Sequence, residues 1–113
     1  MSDNKQLINC SFTSEAFLYL AYMPFVKNGG IFIRTNHIFP LGEEVDLSLK
    51  LLNEHEPYSI PAKIIWITPK GAQGNKPPGI GVQFLGENSR YVCNKIETYL
   101  AGMLKSTQLT DTI

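Results

Sequence analysis

Two segments of the chain alternate regularly between apolar and polar residues. In the first, residues 44–51, the apolar positions are Val45, Leu47, Leu49 and Leu51. In the second, residues 58–66, the corresponding positions are Tyr58, Ile60, Ala62, Ile64 and Trp66. Successive side chains of a β-strand point to opposite faces of the sheet, so this spacing predicts two strands with one buried face each. Trp66 is therefore expected in the core.

Shorter runs predict further strands at residues 7–12, 31–35 and 80–84, the last with Ile80, Val82 and Phe84 facing inward. Gly29-Gly30 is expected to form a turn between elements. The apolar run at residues 16–22 follows Thr13-Ser14-Glu15, which has the composition of a helix cap, but its period fits a helix and a strand equally. Pro24 limits any such helix to the residues before Met23.

The period changes after Gly86 to that of an amphipathic helix. Its apolar positions are Val92, Ile96, Tyr99, Leu100, Met103 and Leu104. Several short strands followed by one helix predict a mainly β protein, a small antiparallel β-barrel with a C-terminal α-helix. The 113 residues are expected to form a single domain at 1–106. Residues 107–113 are polar and are expected to form a flexible tail.

The charge balance argues against nucleic acid as a partner. Ten basic residues oppose ten acidic ones, and the only arginines, Arg34 and Arg90, lie far apart in the sequence. The two cysteines, Cys10 and Cys93, are expected as free thiols, each a small buried apolar residue, in a reducing compartment. The first ten residues have no secretory signal, and no apolar run approaches the roughly 20 residues of a membrane span. A cytoplasmic protein without membrane insertion is expected.

No residue pattern indicates catalysis, a metal or a cofactor. His37 and His55 are isolated, and the two cysteines do not have metal-ligand spacing. Residues 74–79 have the spacing of a phosphate-loop start, but no Lys and Ser or Thr follow, and two prolines remove amide donors. We therefore expect a protein that is not an enzyme.

Four stretches resemble the PilZ domain family: AYMPFVKNGGIFIRT (21–35), PLGEEVDLSLKLL (40–52), IIWITPKGAQGNKPPGIGVQF (64–84) and KIETYLAGMLKS (95–106). The similarity is closest to the small type IV pilus assembly members of that family. It implies a six-stranded antiparallel β-barrel with a helix.

Most PilZ domains bind cyclic di-GMP through an RxxxR motif and a D/N-x-S-x-x-G motif. Two arginines there contact phosphates and guanines. This chain has no arginine before Arg34, and alignment of Gly30 with the motif glycine puts Phe25 at the Asp/Asn position and Lys27 at the Ser position. The resemblance therefore implies the type that does not bind cyclic di-GMP.

What the resemblance implies about function is an adaptor in type IV pilus biogenesis and twitching motility. Its partners would be a PilB-type pilus extension ATPase and a FimX-type EAL-domain protein that senses cyclic di-GMP. The alternative is a cyclic di-GMP receptor domain with a degenerate binding site. The position of the lost nucleotide contacts is apolar, and its residues belong either to the core or to an interface. Our hypothesis is a partner-binding site, with Tyr22 as an anchor outside the core; its members are Tyr22, Met23, Pro24 and Phe25.

Overall fold

A computed structural model describes the backbone of residues 5–68 and 77–111 and the side chains of residues 5–68 and 77–102. Its elements, in chain order, are β1 (Leu7–Phe12), α1 (Glu15–Ala21), β2 (Gly30–Arg34), β3 (Glu44–Leu51), β4 (Tyr58–Thr68), β5 (Gly79–Phe84) and α2 (Ser89–Asp111). Each strand predicted from the sequence has a counterpart, and the predicted C-terminal helix is α2. The limits of the domain, 1–106 with a tail at 107–113, stay a prediction.

The ambiguous apolar run forms the helix α1. Ser14 has extended backbone angles, φ −139° and ψ 152°, and its hydroxyl accepts a hydrogen bond from the Phe17 amide. This bond satisfies an amide that the helix itself leaves without a partner, so Ser14 is the predicted N-terminal cap. Leu18 and Ala21 are buried, and they attach the helix to the core.

The described strands form one curled, half-closed sheet in the order β1-β3-β4-β5-β2. β1 runs parallel to β3, whereas the other three pairs are antiparallel. The expectation of six strands, all antiparallel, was therefore wrong for the described residues. Residues 15–21 could have supplied a sixth strand, but they form α1. Parallel pairing is possible because the long connection from β1 to β3 contains α1 and β2.

The core lies on one face of the sheet and includes residues of both helices. The predicted core residues that are buried are Val45, Leu47, Leu49, Ile64, Ile80, Val82, Phe84, Ile96 and Leu100. Cys10 is also buried, as predicted, and burial raises the pKa of its thiol to about 12. Cys93 is half-buried, and both cysteines are free thiols. Within the described residues, no helix combines the length and apolar character that a membrane crossing requires.

The prediction that Trp66 is buried was wrong, because 57% of this residue is exposed. Ile64 pairs with Val82 and Trp66 pairs with Gly81, so Ile65 is an extra residue in the ladder. A bulge of this kind shifts the alternation by one position. Ile60, Ala62 and Ile64 keep their inward positions, while beyond the bulge Trp66 turns outward and Ile67 pairs with the inward-facing Ile80. Thr68 lies on the same face as Trp66 and is buried there.

Candidate functional site

The loop between α1 and β2, residues 22–30, holds the residues that the sequence singled out. Tyr22 forms an isolated antiparallel bridge with Ile31, and the Met23 amide donates to the Gly30 carbonyl at 2.9 Å. The Gly29 amide donates to the Val26 carbonyl at 2.7 Å. Asn28 and Gly29 have φ values of 69° and 83°, and this left-handed pair reverses the chain into β2.

The same loop is packed tightly against α2. The Cys93 thiol donates to the Asn28 carbonyl at 3.1 Å. A Cβ atom placed on Gly29 would lie only 2.2 Å from Cys93 Sγ, so a glycine is needed for this close approach. Burial, the largest effect, raises the pKa of Cys93 above its ordinary value and keeps the sulfur protonated as a donor.

Tyr22 connects the loop to α2 and to the core. Its ring is half-buried and packs against the core cluster, and its hydroxyl donates to Glu97 Oε2 at 2.6 Å. Burial, followed by the hydrogen bond with Glu97, raises the pKa of Tyr22 well above its ordinary value. Tyr22 therefore supports the loop from beneath and presents only part of its surface to solvent.

Met23 and Trp66 meet on the outer face of the sheet, over Gly81. A Cβ atom on Gly81 would lie 3.2 Å from Met23 Cε and 2.9 Å from Trp66 Cβ. The absence of a side chain at Gly81 lets both residues cover the backbone of β5. The Trp66 indole donates to Thr68 Oγ1 at 2.8 Å, and this bond orients the ring. The loop and β4 therefore contribute to one surface.

Pro24 and Phe25 follow Met23 on the exposed side of the loop, and Phe25 is 82% exposed. We call the four residues Met23, Pro24, Phe25 and Trp66 the outer apolar surface. Of the four candidate residues, Pro24 and Phe25 are exposed, whereas Tyr22 and Met23 are half-buried. Exposed aromatic and methionine side chains grouped in this way are typical of protein interfaces.

Trp66 is the member of this surface whose exposure the alternation pattern did not predict. Strict alternation fails at Ile64-Ile65-Trp66-Ile67, where four apolar residues follow one another. Such a run in an otherwise alternating strand indicates an irregularity, and Gly81 on the neighbouring strand leaves space for a large residue beside it. These two signals together could have suggested the bulge.

The positions aligned with the cyclic di-GMP motif carry no acceptor groups suited to a guanine. Phe25 and Lys27 are both exposed, and the Lys27 carbonyl accepts a hydrogen bond from Gln83 Nε2 at 2.9 Å. Arg34 lies at the end of β2, and Arg90 lies in the first turn of α2. Among the described side chains, no group of three or more His, Cys, Asp or Glu residues could hold a metal ion.

Comparison with known proteins identifies one family. A family model described as the PilZ domain matches residues 5–102, which include each strand that the structure describes and residues 89–102 of α2. No curated protein matches the chain. The match includes the loop at residues 22–30 and the strand that carries Trp66, so the outer apolar surface lies entirely within the matched region.

Proposed function

Because the chain belongs to the PilZ domain family, whose members are binding or adaptor domains and not enzymes, we propose that it is an adaptor in type IV pilus biogenesis and twitching motility. Its partners are a PilB-type pilus extension ATPase and a FimX-type EAL-domain protein. It acts in the cytoplasm, where the free thiols of Cys10 and Cys93 stay reduced. The observation that supports this proposal most is the outer apolar surface.

The exposure of Phe25 and Trp66 is costly for an isolated protein. Burial of a phenyl ring is worth about 1.5–3 kcal/mol, and Phe25 forgoes most of this stabilisation because it is 82% exposed. A partner that covers both rings would recover it. The loop is also held in place by Tyr22, by Cys93 and by the bridge to Ile31. Little conformational entropy is then lost on binding, which favours an interface role.

An adaptor explains the surface better than a nucleotide receptor does. Recognition of a cyclic dinucleotide requires cations for its phosphates and polar acceptors for its guanine edges. Met23, Pro24 and Phe25 offer neither, whereas they fit the apolar centre of a protein interface.

The first prediction concerns partner capture. Phe25→Ala and Trp66→Ala should each weaken binding of the purified PilB-type ATPase or the FimX-type protein by about 2 kcal/mol, or roughly 30-fold, as expected for an anchor residue. Titration of the labelled protein with each partner measures the dissociation constant. Tyr91→Ala is the matched control, because Tyr91 is an aromatic residue of α2 that is also 57% exposed. The Tyr91→Ala variant should bind each partner with the affinity of the unmodified chain.

The melting temperature of each variant separates binding from folding. Exposed residues contribute little to stability, so all three variants should melt close to the unmodified protein. Unchanged affinity in both Phe25→Ala and Trp66→Ala would show that this surface binds neither partner.

The second prediction concerns cyclic di-GMP. Isothermal titration of the full chain with the nucleotide should give no binding heat at concentrations of about tens of micromolar, because the paired arginine contacts are missing. A micromolar dissociation constant would instead favour the receptor with a degenerate site, the alternative function.

A further inference from the structure

The two edge strands of the sheet, β1 and β2, lie on either side of a groove that α1 flanks. Within the described residues, β1 pairs only with β3 and β2 pairs along its length only with β5. The bridge from Tyr22 to Ile31 covers the beginning of β2, because it uses the Gly30 carbonyl and directs the Phe32 amide toward the Ala21 carbonyl. The open edge of β2 therefore starts at the Phe32 carbonyl. We call this groove, between residues 9–12 and 32–34, the seam.

The hydrogen bonds of β2 show which backbone groups face the seam. The Phe84 amide donates to the Gly29 carbonyl and the Thr35 amide donates to the Pro78 carbonyl, so these residues face β5 at the two ends of the ladder. In an antiparallel pair this orientation alternates from residue to residue. Phe32 and Arg34 therefore direct their N–H and C=O groups away from β5. The Gly30 carbonyl, which accepts from Met23, follows the same outward pattern.

The same reasoning applies to β1. The Asp46 amide donates to the Gln6 carbonyl, and the Leu52 amide donates to the Phe12 carbonyl. Residues 6 and 12 therefore face β3, and alternation along the strand leaves Asn9 and Ser11 facing the other way. Both sides of the seam thus present strand backbone groups that have no backbone partner among the described residues.

The seam is apolar inside and has a volume of about 480 Å³. Phe12 and Phe32 are half-buried in its walls, and Leu20 of α1 is 75% exposed at its side. Arg34 is the one charged residue among the described residues that line it. A ligand suited to this groove has apolar groups for the walls, backbone-like donors and acceptors for the edges, and a negative charge near Arg34.

We propose that the seam binds an extended peptide segment of a partner protein, which adds to the sheet as a strand between β1 and β2. An extended peptide carries N–H and C=O groups on both of its sides at the spacing that two strand edges require. Its side chains on the inner face of the sheet contact Phe12, and its side chains on the outer face contact Phe32. An acidic residue of the segment lies beside Arg34. This interaction is separate from the outer apolar surface and does not depend on it.

Amide hydrogen exchange, measured by NMR on the full chain, tests the proposal. The probe is a seven-residue peptide with valine at alternate positions, threonine between them and one glutamate. At saturating peptide, exchange at Asn9, Ser11 and Arg34 should slow by at least about tenfold, because these amides become hydrogen-bonded. The same peptide with a central proline lacks one donor and should bind at least about tenfold more weakly.

Two variants of the chain test the roles of the apolar walls of the seam and of the charge of Arg34. Leu20→Glu places a charge at the side of the groove and should abolish peptide binding, and its high exposure means that folding is little affected. Arg34→Glu should weaken binding of the glutamate-containing peptide about fivefold. A peptide with lysine in place of glutamate should bind this variant about as tightly as the glutamate peptide binds the unmodified chain. Phe25→Ala is the control, and it should bind the peptide as the unmodified chain does.

Several results would overturn the proposal. Protection at only one of the two edges would mean that the peptide does not lie between them. Equal binding of the proline peptide would mean that the groove recognises apolar groups and not a strand. Protection that exists without peptide and disappears on dilution would make a second copy of the chain the occupant. If millimolar peptide leaves amide exchange at both edges unchanged, strand addition is excluded.

Discussion

At the scale of single residues, Ile65 determines the exposure of Trp66. Because Ile65 has no partner in the ladder to β5, the strand gains one position, and the largest side chain of β4 turns to the outer face. Gly81 lies beside it without a side chain, and Met23 covers the remaining backbone. A tryptophan that looks like a core residue in the sequence is thereby made available to a partner.

The exposed position of Trp66 predicts a small role in stability. Trp66→Ala should lower the free energy of unfolding by about 1 kcal/mol, since more than half of the residue is exposed to water. Phe84→Ala, at a fully buried position of β5, should cost about 3–5 kcal/mol. Urea unfolding followed by circular dichroism measures both variants, because the chain has no other tryptophan to serve as a fluorescent probe. If Trp66→Ala lowers the free energy of unfolding as much as Phe84→Ala does, the indole of Trp66 lies in the core.

At the scale of elements, the loop at residues 22–30 and the helix α2 determine each other's position. Gly29 lies against Cys93, the Cys93 thiol bonds to the loop backbone, and Tyr22 bonds to Glu97 one helical turn further along. These contacts determine the position of Phe25 on the surface. The outer apolar surface therefore depends on the helix, although α2 contributes none of its four residues.

Gly29→Ala tests this packing, and Gly42→Ala provides a matched control. Both glycines have a positive φ, 83° and 91°, so alanine should strain the backbone by about 1–2 kcal/mol at either site. Only at Gly29 does the new Cβ collide with another side chain, since nothing lies within 4 Å of a Cβ on Gly42. Thermal and urea unfolding should show Gly29→Ala to be about 2 kcal/mol less stable than Gly42→Ala.

The double variant Gly29→Ala/Cys93→Ala removes the colliding sulfur and should recover part of the difference. If Gly29→Ala and Gly42→Ala are equally stable, the loop does not pack on α2 as described.

At the scale of the whole molecule, Glu54 joins the sheet to α2. It lies in the turn between β3 and β4 and accepts hydrogen bonds from the hydroxyls of Tyr58, on β4, and Tyr99, on α2. Lys95 Nζ lies 3.7 Å from Glu54 Oε2. Burial alone would raise the pKa of Glu54, but the bonds from Tyr58 and Tyr99 and the charge of Lys95 outweigh it and lower the pKa below its ordinary 4.5.

The lowered pKa of Glu54 predicts a loss of stability in acid. The Glu54 carboxylate takes up a proton at a higher pH in the unfolded chain than in the folded chain. Stability therefore increases with pH between the folded and the unfolded pKa of Glu54. The contribution is present above about pH 4.5 and is lost as the pH falls through the lower, folded value. Glu54→Gln should be less stable than the unmodified chain at neutral pH, and the difference should shrink in acid.

Urea unfolding at a series of pH values measures this difference. Glu56→Gln is the control, because Glu56 is an exposed carboxylate in the same turn, and this variant should be about as stable as the unmodified chain at neutral pH. A stability difference for Glu54→Gln that is the same at every pH would contradict the assignment of the acid effect to this carboxylate.

Local patterns in the sequence were sufficient to predict most of the elements. The alternation of β3, the first half of β4 and β5 identified their strands and buried residues, and the apolar period of α2 identified the helix. Ser14 was recognisable as part of a cap signal. These features are predictable because backbone geometry alone imposes a repeat of two residues on a strand and 3.6 on a helix.

Only the tertiary structure decided the features that depend on distant partners. Residues 15–21 form a helix because Leu18 and Ala21 find a core to pack against, and β1 is parallel because it pairs with β3 across a long connection. Trp66 is exposed because a bulge forms opposite β5, and Tyr22 lies beneath its loop because Glu97 and the core are within reach. A local apolar run fits a core and an interface equally well, and only the contacts between distant segments distinguish the two.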